Sequence, residues 1–305
     1  PEGDVLGASA PPARPARNLL LLSSGGADGA FGAGVLAGWT AAGTRPVFDV
    51  VMGISTGALQ ATPAFLGEAY DGLLREVYTT TRTADVLDRN GPGVLVKTGL
   101  HDVEPLRARL RTTLTDAVLD RVAAEHRADR RLIVGTTDLT NGRLVAWDMG
   151  AIAASDDPGR RERYVGVLLA SVAVPGLIEP VIVRDACGRE AAHGDGGVKA
   201  PVLFDRALLP EPGGRRATVW VVANGHVSPV AATAATIDGP VAAGRRGVSQ
   251  LLRRLLHTTV VATYFRVRER GAAFRLIALP DEVPEARDPL AFEPGEMRGL
   301  YEAGF

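Results

Sequence analysis

Cysteine is almost missing from this chain. Cys187 is the single example in 305 residues, so no intrachain disulfide can form and a cysteine-rich metal site is excluded. Its neighbours Ala186 and Gly188 read as a turn, and a lone thiol there carries no chemistry by itself. Long apolar runs are missing too. No window of about 18 apolar residues occurs, which excludes a membrane-spanning helix. Neither sign of charge is in excess, and a net charge of −1 sets up no global field toward nucleic acid or an anionic membrane. Aromatic residues make up 5% and interleave with no arginine or lysine cluster, so nucleic-acid binding is set aside. Histidine is scarce, at five residues, which leaves few candidates for a general base.

What is present is ordinary for a globular protein: 46% hydrophobic and 23% charged residues, in a chain long enough for a large core. Residues 1–17 carry four prolines and no periodicity, and read as a flexible or extended leader. From Asn18 the character changes. The run NLLLLSSGG reads as a buried strand, and AFGAGVLAGWTAAG as a helix with Gly43 near its C-cap. FDVVMG is a second buried strand, and STGALQATPAFLG a second helix, with Pro63 inside it. Residues 70–130 are helical apart from the turn-rich insert NGPGVLVKTG. Two strands flank an Asn141-Gly142 turn, and residues 160–172 are helical. GLIEPVIV, REAAHGDGG and ATVWVVANG read as strands. Residues 245–266 form the last long helix, and AFRLIALP a final strand. Strands that alternate with helices and are apolar on both faces predict an α/β fold: a largely parallel sheet covered on both sides. No repeat or composition shift divides 18–305, which is expected to be a single domain.

Ser55 stands in Gly53-Ile54-Ser55-Thr56-Gly57, between a predicted strand and a predicted helix. The flanking glycines let the chain bend sharply. The helix N-terminus favours negative charge at the serine oxygen. The stretch Ser23–Gly34, SSGGADGAFGAG, also follows a strand and opens a helix. Its uncovered amides suit either a phosphate or an oxyanion. It lacks a P-loop ending, and its glycine spacing fits a dinucleotide cradle poorly. The two strands lie about 30 residues apart and are expected to be neighbours, so both turns would meet at one sheet edge. That convergence favours an oxyanion hole.

A serine nucleophile ordinarily works with histidine, and the candidates are His101, His126, His193, His226 and His257. An α/β-hydrolase places its serine after about five strands and its histidine late. Here the serine follows the second strand. His126, between Glu125 and Arg127, and His257, beside Arg253 and Arg254, have no motif around them. The chain offers instead His193-Gly194-Asp195-Gly196-Gly197. By itself Asp-Gly-Gly is a turn with a solvated carboxylate.

Taken together these elements resemble the patatin-like phospholipases, acyl hydrolases with a serine–aspartate dyad. Ser23–Gly34 is similar to the family's oxyanion loop, Gly53–Gly57 to its nucleophile elbow, and Asp195-Gly196-Gly197 to its Asp-Gly-Gly/Ala motif. Ala170–Pro180, ASVAVPGLIEP, is similar to its Ala-Ser-x-Ala-x-Pro block. The match covers residues 18–205. The tail is similar, more loosely, to a bacterial branch. The resemblance implies a three-layer α/β/α fold and hydrolysis of lipid acyl esters: phospholipase A, lysophospholipase or carboxylesterase. An acyltransferase using the same dyad, or a non-catalytic lipid-binding scaffold, stays open. It implies Ser55 as nucleophile, Asp195 as base, and the amides of Gly25, Gly26 and Ala27 as the oxyanion hole. Gly53, Gly57, Gly196 and Gly197 shape the two motifs. His193, two residues before Asp195, shares a strand face with it and is a candidate to orient it. An aspartate needs a partly dry site to serve as base, and its acid limb is expected away from histidine's 6.5.

No cofactor or metal is implied, since no His/Cys/carboxylate cluster offers a site. The run Ser24-Gly25-Gly26 replaces the family's common Gly-Gly-Gly, and Asp28 stands where arginine or lysine is frequent. Asp28 is expected to point outward and cap the next helix. The segment 84–100 is a candidate lid and chain-length wall. Gly244–Phe265 alternates arginine and leucine at helical spacing. It reads as a packed helix with a solvated arginine face, or as a contact with an anionic lipid surface. A homo-oligomer is compatible with all of this. The chain opens on Pro1 rather than methionine. With the branch resemblance, that leaves export as a periplasmic, lipoprotein-like or secreted protein as an expectation.

Overall fold

The computed structural model describes residues 18–89, 99–185, 187–211, 216–228 and 239–305. The leader 1–17 and most of the turn-rich insert, 90–98, lie outside the described residues. In chain order the first elements are β1 (Asn18–Leu22), α1 (Gly29–Ala41), β2 (Val50–Ile54), α2 (Thr56–Leu66), α3 (Asp71–Thr80), β3 (Asp88–Arg89) and β4 (Gly99–Asp102). Then come α4 (Glu104–Thr113), α5 (Asp116–Arg127), β5 (Arg131–Asp138), β6 (Arg143–Asp148), α6 (Met149–Ala154), α7 (Arg160–Val172) and β7 (Gly176–Ile178). The last are β8 (Val181–Arg184), β9 (Glu190–Asp195), β10 (Thr218–Ala223), α8 (Pro240–Glu269), β11 (Ala273–Ala278) and α9 (Pro294–Gly304).

The central sheet runs β11-β10-β1-β2-β5-β9-β8, with β6 also paired to β5. From β11 to β5 every pairing is parallel; β6, β8 and β9 join antiparallel. The apolar runs explain the layering. Along β1, Leu20 and Leu22 enter one core while Leu19 and Leu21 enter the other, as a period of two requires. The first core is closed by α1, α2, α7 and α9, through residues such as Phe31, Phe65, Leu168 and Leu300. The second is closed by α8, through Leu256, Val260 and Val267, and by Val202–Phe204. Burying one leucine contributes about 1.5–3 kcal/mol, so a strand buried on both faces needs an unbroken apolar run. This is the three-layer α/β/α arrangement.

GLIEPVIV is one strand in the sequence reading and two in the structure. Pro180 separates β7 from β8, since proline has no N–H to give a ladder. β7 joins a small sheet, β3-β4-β7, while β8 edges the large one. α8 is longer than the hydropathy pattern suggested. Its buried stripe of Leu256, Val260, Thr263 and Val267 marks it as a packed helix. Among the described residues no helix is long and apolar enough to cross a membrane.

Register sets the functional end. Leu22 pairs with Gly53 on β2 and with Val222 on β10, so three strands finish side by side. Ile54 pairs with Gly135 on β5, and Thr136, next along β5, pairs with Asp195. The serine turn, the glycine-rich loop and Asp195 therefore share one sheet edge.

Candidate active site

Ser55 is the hinge between β2 and α2. Its backbone has φ 55° and ψ −124°; Asp129 is the only other described non-glycine residue at positive φ. Such a conformation costs about 1–3 kcal/mol and needs outside support. The Ser55 amide donates to Ser171 Oγ at 2.9 Å, and the Ser171 hydroxyl donates to the Gly135 carbonyl at 2.7 Å. Packing does the rest. A Cβ on Gly53 would lie 2.3 Å from the Gly57 carbonyl, and one on Gly57 would lie 2.3 Å from the Leu22 carbonyl. The Ser55 hydroxyl makes no capping bond to α2 and lies near enough to Asp195 to favour that carboxyl's charge.

Asp195 ends β9 and is only 4% exposed. Its backbone is pinned by its own N–H to Ala173 O at 2.8 Å and by the Thr137 hydroxyl to its carbonyl at 3.0 Å. Its Oδ1 accepts the Gly197 amide at 2.6 Å. Burial pushes the carboxyl up to about 6, against the nearby Ser55 hydroxyl and the Gly197 amide, which favour its charge. Gly197 also brings the turn against the glycine-rich loop: a Cβ there would lie 3.1 Å from Ser24 Cβ. Gly196 sits on β5, 2.8 Å from Gly135 O by the same measure.

The glycine-rich loop is held almost residue by residue. Ser23 donates to Val222 O and Ser24 to Pro201 O, while the Asp28 amide returns to Gly25 O. The Ala27 amide donates to Pro289 O at 2.9 Å. That leaves the amides of Gly25 and Gly26 without a hydrogen-bond partner among the described residues. Gly26 adopts φ +59°, which a side chain rarely tolerates. Asp28 departs from expectation. It is buried, makes no capping bond to α1, and accepts the Ala286 amide at 2.6 Å. The chain between β11 and α9 lies over it, so it has no solvent to point into.

Four of the five histidines hydrogen-bond elsewhere, and the fifth, His126, lies beside Asp148. His193 Nδ1 meets Thr136 Oγ1 at 2.9 Å and its ring packs edge-on against Trp147, so its hydrogen bond does not go to Asp195. Burial lowers its pKa, partly offset by nearby Asp138. His101 faces Leu177 O, His226 faces Pro280 O and Val283 O, and His257 faces Val227 O. His126 lies 3.5 Å from Asp148.

Of three supporting residues, Asn224 and Gln60 escaped the sequence reading, and Ser171 entered it only within the ASVAVPGLIEP block. Ser171 holds the elbow. Asn224 bonds Ser23 through its amide and Nδ2, both at 2.8 Å, and takes the Gly32 amide on Oδ1. Gln60 donates to Gly29 O. Asn224 carried a signal, as a polar residue just past the carboxyl end of a buried parallel strand. An apolar cavity of about 80 Å³ lies among α2, α3, α4, α5 and α7, with Leu59, Thr62 and Pro63 on the α2 side. No group of three His, Cys, Asp or Glu is placed to hold a metal among the described residues.

A search among curated proteins returns no match. Among solved structures, the crystal structure of VipD from Legionella pneumophila is similar at 12% identity and a TM-score of 0.37. That likeness covers 96% of this chain and 66% of that one, and is too loose to argue from. The sequence profile of the patatin-like phospholipases matches residues 20–208, a span that holds the glycine-rich loop, the Ser55 elbow and Asp195. With most of its length and its whole Ser55–Asp195 constellation inside that match, the chain belongs to the patatin-like phospholipase family, whose activity is lipid acyl hydrolysis.

Proposed function

We propose that this protein hydrolyses lipid acyl esters through a Ser55–Asp195 dyad. The observation that carries the reading is the register that brings the Ser55 turn and the buried Asp195 carboxyl to one sheet edge, where the Ser55 hydroxyl favours that carboxyl's charge and no histidine is hydrogen-bonded to either. Ser55 Oγ attacks the acyl carbonyl while Asp195 accepts its proton. The free amides of Gly25 and Gly26 receive the oxyanion; the Ala27 amide, bound to Pro289 O, does not take part. One such donor is worth about 2.7–4 kcal/mol. Asp195 then returns the proton to the leaving alcohol or lysolipid. In deacylation it takes a proton from water, which attacks the acyl-enzyme, and passes that proton to the departing Ser55 Oγ as the fatty acid is freed. A base whose pKa burial has raised toward the working pH suits both proton transfers better than a solvated aspartate at about 3.9.

The test uses a short-chain nitrophenyl ester. Ser55→Ala and Asp195→Asn should each abolish turnover, and alanine at each histidine should not. Full activity in Asp195→Asn would end the dyad reading. Labelling of Ser55 by a fluorophosphonate separates an enzyme from a lipid-binding scaffold. Added acceptor alcohols separate hydrolase from acyltransferase. Contact with a lipid surface finds support in α8. That helix exposes Leu251, Val261, Tyr264 and Phe265 among arginines that include Arg254 and Arg268.

A further inference from the structure

The stretch between β11 and α9 lies beyond the family match, which ends at residue 208, and yet it abuts the glycine-rich loop. Its two ends are anchored away from that loop. His226 Nε2 donates to Pro280 O and Val283 O at 3.1 and 2.9 Å, and the His226 amide donates to Glu285 Oε1 at 2.9 Å. Arg253 on α8 pairs with the same Glu285. At the far end the Phe292 amide donates to Thr83 Oγ1 at 2.9 Å. Between the anchors, two hydrogen bonds reach the loop: Ala27 N–H to Pro289 O, and Ala286 N–H to Asp28 Oδ1. Backbone touches backbone there, since a Cβ on Gly26 would fall 2.2 Å from Pro289 O.

An acid is an odd residue beside amides that must receive negative charge. Burial answers this. The Asp28 carboxyl is pushed up to about 8, chiefly by desolvation. Glu285 and Glu296 push the same way, while the Ala286 hydrogen bond and Arg253 oppose them. Near neutral pH Asp28 is mostly uncharged and acts as a hydrogen-bond acceptor.

We propose that Asp28 is a positioning residue for the oxyanion loop, clasping residues 285–290 across it so that Gly25 and Gly26 keep their amides free and fixed. The proposal rests on the dyad reading above. Asp28→Ala and Asp28→Asn are assayed on a nitrophenyl ester from about pH 6 to about pH 9, with Ser55→Ala as blank and thermal melts to verify folding. Asp28→Ala removes the acceptor. Its kcat should fall about 10–100-fold, with KM held within about twofold, because the oxyanion is met only in the transition state. Asp28→Asn keeps a carbonyl acceptor and should recover kcat to within about fivefold near pH 7. The unaltered enzyme should decline above about pH 8, where ionised Asp28 opposes the oxyanion, and Asp28→Asn should lose that decline. Unchanged kcat in Asp28→Ala, or the same alkaline decline in Asp28→Asn, overturns the proposal. If Asp28→Ala does not fold, the Asp28→Asn profile decides. Full activity in Ser55→Ala brings down the dyad reading and this one together. An inactive Ser55→Ala beside an unimpaired Asp28→Ala brings down this one alone.

Discussion

Acidifying the enzyme from about pH 8 to about pH 5 titrates Asp195 inside the folded protein. Its carboxyl sits at about 6 because burial penalises the charge more than the Ser55 hydroxyl and the Gly197 amide favour it. Roughly nine-tenths is ionised at pH 7 and one-tenth at pH 5. In the proposed dyad only the ionised form accepts the serine proton, so kcat/KM should drop roughly tenfold across that interval and tenfold per further unit. Stability moves the other way. A carboxyl whose folded pKa is raised binds its proton more tightly in the native state than in the unfolded chain. Its contribution is therefore greatest below about 3.9 and is lost as pH rises through about 6, a difference of about 3 kcal/mol. Opposite slopes in one window separate titration of Asp195 from acid unfolding. The assay is kcat/KM on a nitrophenyl ester against pH, beside urea midpoints of the unaltered protein and Asp195→Asn. A limb near 6 falls close to histidine's 6.5, so the profile by itself does not tell the two bases apart, contrary to the sequence expectation. Repeating it on alanine variants of the five histidines does. A limb near 4, or one that vanishes in a histidine variant, refutes the reasoning.

Ser171→Ala removes the acceptor for the Ser55 amide and a donor to Gly135 O. It should cost about 1–3 kcal/mol by urea denaturation and lower kcat more than it raises KM. Gly57→Ala drives a methyl into the Leu22 and Ser23 carbonyls and should prevent folding or cost more than about 3 kcal/mol. Gly72→Ala, where a Cβ meets nothing within 4 Å on α3, should instead stabilise by about 0.5–1 kcal/mol in the same measurement. Replacing Phe265 and Arg254 on α8 by serine and glutamate should reduce co-sedimentation with anionic phospholipid vesicles while leaving hydrolysis of a soluble ester unchanged. Equal vesicle binding would remove α8 from any lipid-surface role.

The layered fold was legible because local rules decide it. Leu19–Leu22, Val50–Ile54 and Val219–Val222 are apolar at successive positions, and only strands covered on both faces tolerate that. Ser55 and Asp195 were legible for different reasons. Ser55 ends such a strand between glycines, where polar residues at the carboxyl end of a parallel sheet face the ligand crevice, whereas Asp195 ends the antiparallel, half-exposed β9 and was legible only through its Asp-Gly-Gly run and its order in the chain. GLIEPVIV misled because its apolar pattern continues past Pro180 while its pairing partners change.

The parts that Asp28, Ala27, Ser171 and Asn224 play lay beyond the reach of sequence, for one physical reason. Each is defined by a partner far along the chain: Ala286, Pro289, Ser55 and Ser23 respectively. Composition showed an acid after a glycine-rich loop, and local rules read it as a solvated helix cap. Whether it meets water depends on a segment some 258 residues away. Local pattern alone was enough for the core strands of the central sheet, the elbow and the two residues offered as a dyad, while β3 and β4 of the small sheet lay in a stretch read as mostly helical. Tertiary structure decided which amides stay free and which acids lose their water, because burial and long-range hydrogen bonds are set by what packs on top.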